Sequence, residues 1–308
     1  MFAAFLATIL FTISVVCGSR TARIIGGVEA NFWRLTLASI FLGIWAYVWG
    51  SGLNGAALPI FLISGLIGIG LGDAGLFQAL PRLGSRLTLL LLQCLTAPIA
   101  ALAEWLWLGT ELHVTQVVFI LVILAGVAFA LAPSEHLHIA RRQLWTGIFF
   151  AVFGAAGNGF GAVLSRKGYM VVHEAGQTLD GGTAAFQRIL GGLLIAGILL
   201  LVAKRQFVRV PGSAGEAMDT SSTREKWRRI WPWVLMNSLA GQTLGVSAMQ
   251  LALENTPTGI VMSIVALTPL TVIPFARFLE HEKITARSLI GGAIAVAGVV
   301  GLALTIRR

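Results

Sequence analysis

The chain has 308 residues, of which 56% are apolar and only 11% are charged, and its mean hydropathy is +0.85. A soluble domain carries roughly 25% charged residues, so the composition excludes an ordinary soluble globule and points to a polytopic membrane protein. The formal net charge of +9 would suit nucleic acid. However, the Lys and Arg residues crowd between apolar runs, where they suit anionic headgroups, and no nucleic-acid partner is expected. Cys17 and Cys94 both fall inside apolar runs and read as packing residues, without a disulfide or metal framework.

The apolar runs are about 20 residues long, enough for a hydrocarbon core of roughly 30 Å. They lack the ten-residue alternation of barrel strands, so helices are expected. In chain order, spans are predicted near 2–25, 31–50, 57–80, 87–108, 115–132, 144–166, 184–203, 230–253, 258–279 and 286–306. The first lacks a basic leader region and reads as a transmembrane helix, not a signal peptide. Breaks fall at Gly50-Ser51-Gly52, Pro81-Arg82 and Pro133-Ser134-Glu135. Segment 204–229 is the long polar loop. Most tryptophans, among them Trp33, Trp49, Trp107, Trp145 and Trp231, sit near span ends, as an interfacial belt requires.

The spans repeat. Residues 79–132 and 252–304 both open on Ala-Leu, carry Thr and Pro in the first apolar run (Thr96 and Pro98; Thr268 and Pro269), and close on a Gly-rich helix around Gly126 and Gly298. Arg34 and Arg188 open the second and seventh spans in matching contexts. The predicted fold is therefore all-α: ten transmembrane helices as two inverted five-helix repeats, over 1–132 and 144–308, joined by a connector at 133–143. An odd number of spans per half reverses the second half in the membrane.

These features resemble the drug/metabolite transporter superfamily, specifically its ten-helix EamA-type members. Gly18-Ser19 near the end of span one and Arg34 at the start of span two fit as well. The resemblance implies a transporter with both termini inside the cell. Two departures stand: Cys17 replaces the usual aromatic before Gly18, and span one lacks the membrane Glu that the small four-helix multidrug members use for protons.

Polar residues inside spans are costly and mark cavities or partners. Asp73, in Gly70-Leu71-Gly72-Asp73-Ala74-Gly75, reads either as a proton-coupling or substrate-ammonium site or as half of a structural ion pair. Arg20, Arg23 and Arg86 are its candidate cations. Gly65, Gly68, Gly72 and Gly75 suit close helix packing. Thr243, Ser247, Gln250 and Glu254 form a polar stripe in span eight, and Arg86, Gln93, Thr96 and Glu104 form another in span four. In span six, Gly154, Asn158, Gly161 and Ser165 suit either cavity lining or packing. The cavity candidates are thus Asp73, Gln93, Thr96, Asn158, Thr243, Ser247, Gln250 and Thr268. Arg20, Arg34 and Arg188 are candidate cations at the cavity mouth, with snorkelling as the alternative, and Pro98, Pro269 and Pro274 are candidate hinges.

No G-x-x-x-x-G-K-[ST] motif occurs, so ATP is not the expected driver. His113, His136, His138, His173 and His281 lie in or beside loops and Asp73 stands alone, which argues against an intramembrane enzyme and a metal site. The best reading is a secondary transporter in the bacterial inner membrane, exporting a small amino-acid-like or other organic solute. It would need no cofactor and no oligomer, with proton coupling through Asp73 as an option. A non-transporting structural or receptor-like protein is the alternative. Most Lys and Arg outside the paired groups fall on one side of the predicted spans, including Arg82, Arg141, Arg142 and those of 204–229. The positive-inside rule puts that side in the cytoplasm and both termini outside, opposite to what the resemblance implies.

Overall fold

The computed structural model describes residues 1–131, 140–209, 223–272 and 286–306, and among these every regular element is helical. Helix α1 (Phe2–Ile25) stops at Gly26, whose φ of 81° suits glycine, and α2 (Gly27–Val48) starts at once. Helix α3 (Leu58–Gly65), with Pro59 harmlessly in its first turn, runs through a π-helical stretch at Leu66–Leu71 into α4 (Gly72–Leu108). Helices α5 (Val114–Leu131), α6 (Arg141–Glu174) and α7 (Gly181–Arg209) follow. Next, α8 (Thr223–Asn237), a second π-helical stretch at Ser238–Gly245, and α9 (Val246–Asn255) form one continuous rod. After Thr256-Pro257 come α10 (Thr258–Val265) and, last, α11 (Ala286–Ile306).

The 37 residues of α4 would extend about 55 Å if straight. They do not run straight. A Cβ on Gly154 of α6 would lie 3.0 Å from both the Gly72 carbonyl oxygen and Leu92 Cδ1, which no single point beside a straight helix can do. Leu83 packs on Gly147 near the start of α6, and Glu104 meets Arg166 near its end. The chain therefore doubles back between Leu83 and Leu92, close to the break expected at Pro81-Arg82. Helix α6 lies in the cleft between the two arms.

Six of the described helical segments are long and apolar enough to cross a membrane, by length and composition: Phe2–Ala22, Leu58–Leu83, Leu87–Leu108, Val114–Leu131, Arg141–Glu174 and Gly181–Ala203. Leu106, Leu121, Val300 and Leu304 are 55–69% exposed, far more apolar surface than a water-soluble protein displays. The interior is packed by Leu35, Leu42, Phe61, Ile189, Leu253, Ile260 and Ile264, all under 2% exposed.

Helix ends differ from the sequence expectation where charged residues were read as terminators. Helix α6 continues through Arg166 and Lys167 to Glu174, α7 reaches Arg209, and α8 begins at Thr223, so helix enters the polar loop predicted at 204–229 from both sides. Long straight-chain charged residues are good helix formers. They mark where a span leaves the lipid, not where the helix stops. Pro274 lies outside the described residues, as do the side chains of Arg23 and Arg86.

Candidate functional site

A cavity of about 200 Å³ lies at the centre of the helices. Helix α1 contributes Phe11, Ser14 and Val15, α2 contributes Arg34, and the π-helical stretch and α4 contribute Ile69, Asp73, Leu92, Gln93 and Thr96. Helix α6 adds Asn158 and α7 adds Arg188. Gln242, Val246 and Met249 come from the second rod, and Met262, Val265 and Thr268 from α10 and the turn beyond it. Asp73, Gln93, Thr96, Asn158 and Thr268 thus share one cavity with Arg34 and Arg188.

The partner of Asp73 is Arg34, not Arg20. Arg34 Nη2 donates to Asp73 Oδ2 at 3.0 Å and to Asn31 Oδ1 at 2.5 Å. The two charged side chains keep 20% and 17% of their surface exposed, so the pair faces the cavity. Arg20 instead stacks over Trp233, 4.2 Å from the ring centroid. The Asn158 amide packs on Gly72, one residue before Asp73.

Arg188 stands differently. It is 3% exposed, and its Nε and Nη1 have no hydrogen-bond partner. Its side chain fits because Gly68 leaves room: a Cβ there would lie 2.6 Å from Nη2. Its backbone carbonyl presses on Gly65, and Gly161 closes over Gly68 from α6. The glycines of α3, the first π-helical stretch and α4 therefore serve two purposes. Gly72 and Gly75 admit α6, while Gly65 and Gly68 seat Arg188.

One end of the cavity is closed. Thr8 Oγ1 donates to the Ile264 carbonyl at 3.2 Å, and Ala97, Ala100, Leu253, Ile260 and Ile264 fill the space at 0–1% exposure. A second ion pair locks this end. Arg166 Nε lies 2.5 Å from Glu104 Oε1, with Glu104 only 3% exposed. Glu104 Oε2 accepts the Thr258 backbone N–H at 2.6 Å, and Arg166 Nη1 donates to the Leu253 carbonyl at 3.1 Å. The carboxylate thus caps the positive N-terminus of α10 and the guanidinium caps the negative C-terminus of α9, across the Thr256-Pro257 break.

The other predicted residues sit elsewhere. Ser247 donates to the Thr243 carbonyl at 2.5 Å, and Gly181 packs against the Ser247 carbonyl, so this side of the rod meets α7. Gln250 is fully buried. Gln242, Val246 and Met249, one position earlier, line the cavity in place of Thr243, Ser247 and Gln250. A polar stripe fixes which residues share a face, whereas packing decides where that face turns. Ser14, which donates to Asn237 Oδ1 at 2.6 Å, gave no sequence signal. Pro98 lines a separate apolar crevice of about 440 Å³ between α4 and α5. Pro269 follows the break at Ala266-Leu267. Among the described residues, no three His, Cys, Asp or Glu side chains gather in a way that could hold a metal ion.

An all-helical protein with apolar spans long enough to cross a membrane and an apolar outer face has the make-up of an integral membrane protein. The chain belongs to the EamA-like transporter family, which matches residues 1–132 and 145–304 and is part of the drug/metabolite transporter superfamily. No curated protein matches the sequence. Twenty-nine chains of solved structures match in fold. One of them, described as "Crystal structure of protein", is similar with a TM-score of 0.73 at 16% identity, over 100% of this chain and 97% of that one. This likeness extends to the fold.

Proposed function

We propose that the protein is a secondary transporter that exports a small organic solute through the central cavity by alternating access. The observation that carries this reading is the cavity itself: polar and charged in an apolar bundle, and sealed at one end by the Glu104–Arg166 lock. In this reading the chain crosses the membrane ten times, in inverted halves over 1–132 and 144–308. Three features support it. The predicted third and eighth spans both contain π-helical stretches. Predicted repeat mates pack on each other, α2 on α7 and α5 on α11. Finally, α1 packs on α8 as α3 packs on α6.

Rocking one half against the other would break the lock and expose the cavity to the opposite side. Pro98 and Pro269 supply hinge points. Asp73 is the candidate for proton coupling, since protonation would release Arg34. The bacterial inner membrane is the expected location.

The test is efflux from vesicles containing the purified protein and loaded in turn with amino acids, nucleosides, organic cations and organic anions. Gln93→Leu and Asn158→Leu, which fill the cavity, should lower the flux of the accepted solute about tenfold or more. If no solute leaves faster than from empty vesicles, the transporter reading fails. If both variants transport normally, the route lies elsewhere.

A further inference from the structure

We infer that the solute is a small organic monoanion whose carboxylate is held by Arg188, an assignment that rests on the cavity being the transport route. Among the described residues, two cations and one carboxylate line the cavity: Arg34, Arg188 and Asp73. Arg34 and Asp73 neutralise each other at 3.0 Å, so the unbalanced charge is that of Arg188. Arg188 lines the cavity at 3% exposure, forms no ion pair among the described residues, and has buried Nε and Nη1 atoms without hydrogen-bond partners.

A guanidinium stripped of water that must share its nearby carboxylate, Asp73, with Arg34 is an expensive feature. A ligand that supplies the missing acceptors removes that cost. Nε and Nη1 lie on different edges of the guanidinium, each edge shared with Nη2, and either edge presents two parallel N–H groups that match the two oxygens of a carboxylate. Other anions fit less well. A phosphate monoester carries about −1.5 to −2 charges at neutral pH, and one free guanidinium cannot balance it. A zwitterion needs a carboxylate for its ammonium group, and Asp73 is already engaged by Arg34, which also donates to Asn31. A cavity of about 200 Å³ is small beside the roughly 300–1,000 Å³ of drug-binding pockets, which limits the size of the anion. Gln242 adds a buried amide whose Oε1 also lacks a partner, so a hydroxyl or N–H elsewhere on the anion would be accepted.

The test compares acids with their own neutral amides on the full-length purified protein. Acetate, lactate, benzoate and phenylacetate would each be paired with the corresponding amide, with alanine and inorganic phosphate alongside, and read by the shift in Tm they cause. At least one carboxylate should raise Tm in a saturable way, and its amide should not. Alanine and phosphate should fall well below that carboxylate. Arg188→Gln should weaken the effect about tenfold or more, and Arg188→Lys, which keeps the charge without the fork, should lie between. Equal stabilisation by acid and amide, preference for alanine or phosphate, or no response to any carboxylate overturns the assignment. These wild-type comparisons decide it even if the Arg188 variants fail to fold. Efflux of a cation or neutral solute, undiminished in Arg188→Gln, would also overturn it while leaving the transporter reading intact. Absence of efflux for every solute class would remove the transporter reading itself.

Discussion

At the scale of single residues, two ion pairs in different settings lead to different expectations. Asp73→Asn keeps the shape and the contact with Arg34 but removes the titration. The variant should fold and bind solute, and lose uphill export driven by a proton gradient, measured in vesicles with and without an imposed pH difference. Unchanged uphill export would leave the Arg34–Asp73 pair a purely structural role. Glu104→Gln leaves Arg166 buried beside a neutral amide. Breaking a buried pair in this way costs about 3–5 kcal/mol, so a clear drop in Tm is expected in a thermal melt. Asp180, in the turn before α7, is a third case. Burial alone would raise its pKa, but hydrogen bonds from the Thr183 hydroxyl, Trp45 and the Thr183 and Gly182 backbone N–H groups outweigh it and hold the pKa below the usual carboxylate value. A lowered folded-state pKa means that this contribution is complete above the unfolded value of about 3.9 and is lost as pH falls through the folded one. Asp180→Asn should therefore lower Tm in the neutral region and flatten part of the acid limb of a Tm-against-pH curve, so that the variant and wild-type curves converge at low pH. The sequence pointed to Asp73 because a carboxylate in an apolar run is conspicuous. It could not supply Arg34 as the partner, because that contact joins two helices 39 positions apart and depends on how they pack.

At the scale of elements, the two π-helical stretches matter most. Each carries a wider turn than an α-helix, equivalent to one inserted residue, and the first ends immediately before Gly72-Asp73. Deleting Ile67 would let this stretch relax to α-helix. The wide turn absorbs its extra residue, so the parts on either side would keep roughly their present facing, but the widened backbone at Gly68, where Arg188 Nη2 sits, would be lost. Flux should disappear while helicity by circular dichroism persists, and unimpaired flux would show that the wider turn is incidental. Nothing in Leu66-Ile67-Gly68-Ile69-Gly70-Leu71 announces such a turn, because its backbone pattern is stabilised by neighbours across the bundle. Apolar run length, by contrast, was readable directly, since the lipid core sets it. The exact cavity face of the second rod was not readable: Gln242 and Gln250 are equally polar in the sequence, and only packing against α7 separates them.

For the whole molecule, composition alone carried the all-helical, membrane-embedded character, because low charge and long apolar runs leave few other forms. Orientation is less directly written. The charge distribution predicts that the turns at 49–57, 109–113 and 175–180 face outward. In a variant without Cys17 and Cys94, Glu174→Cys should react with a membrane-impermeant maleimide from outside intact cells, and Arg142→Cys should not; the reverse pattern would establish the opposite orientation. The glycine seams bear on how such a bundle moves. Gly75 meets Gly154, Gly68 meets Gly161 and Gly126 meets Gly291 with backbone against backbone and no side chains meshed between them. In mechanical terms these are plain bearings, not gears: smooth tracks slide past each other without first unmeshing teeth. A methyl group on such a track acts as a brake. Gly159→Ala, whose new Cβ would sit 3.2 Å from the Thr96 carbonyl oxygen, should leave solute affinity intact and slow each transport cycle, so that turnover falls while the half-saturating concentration stays put.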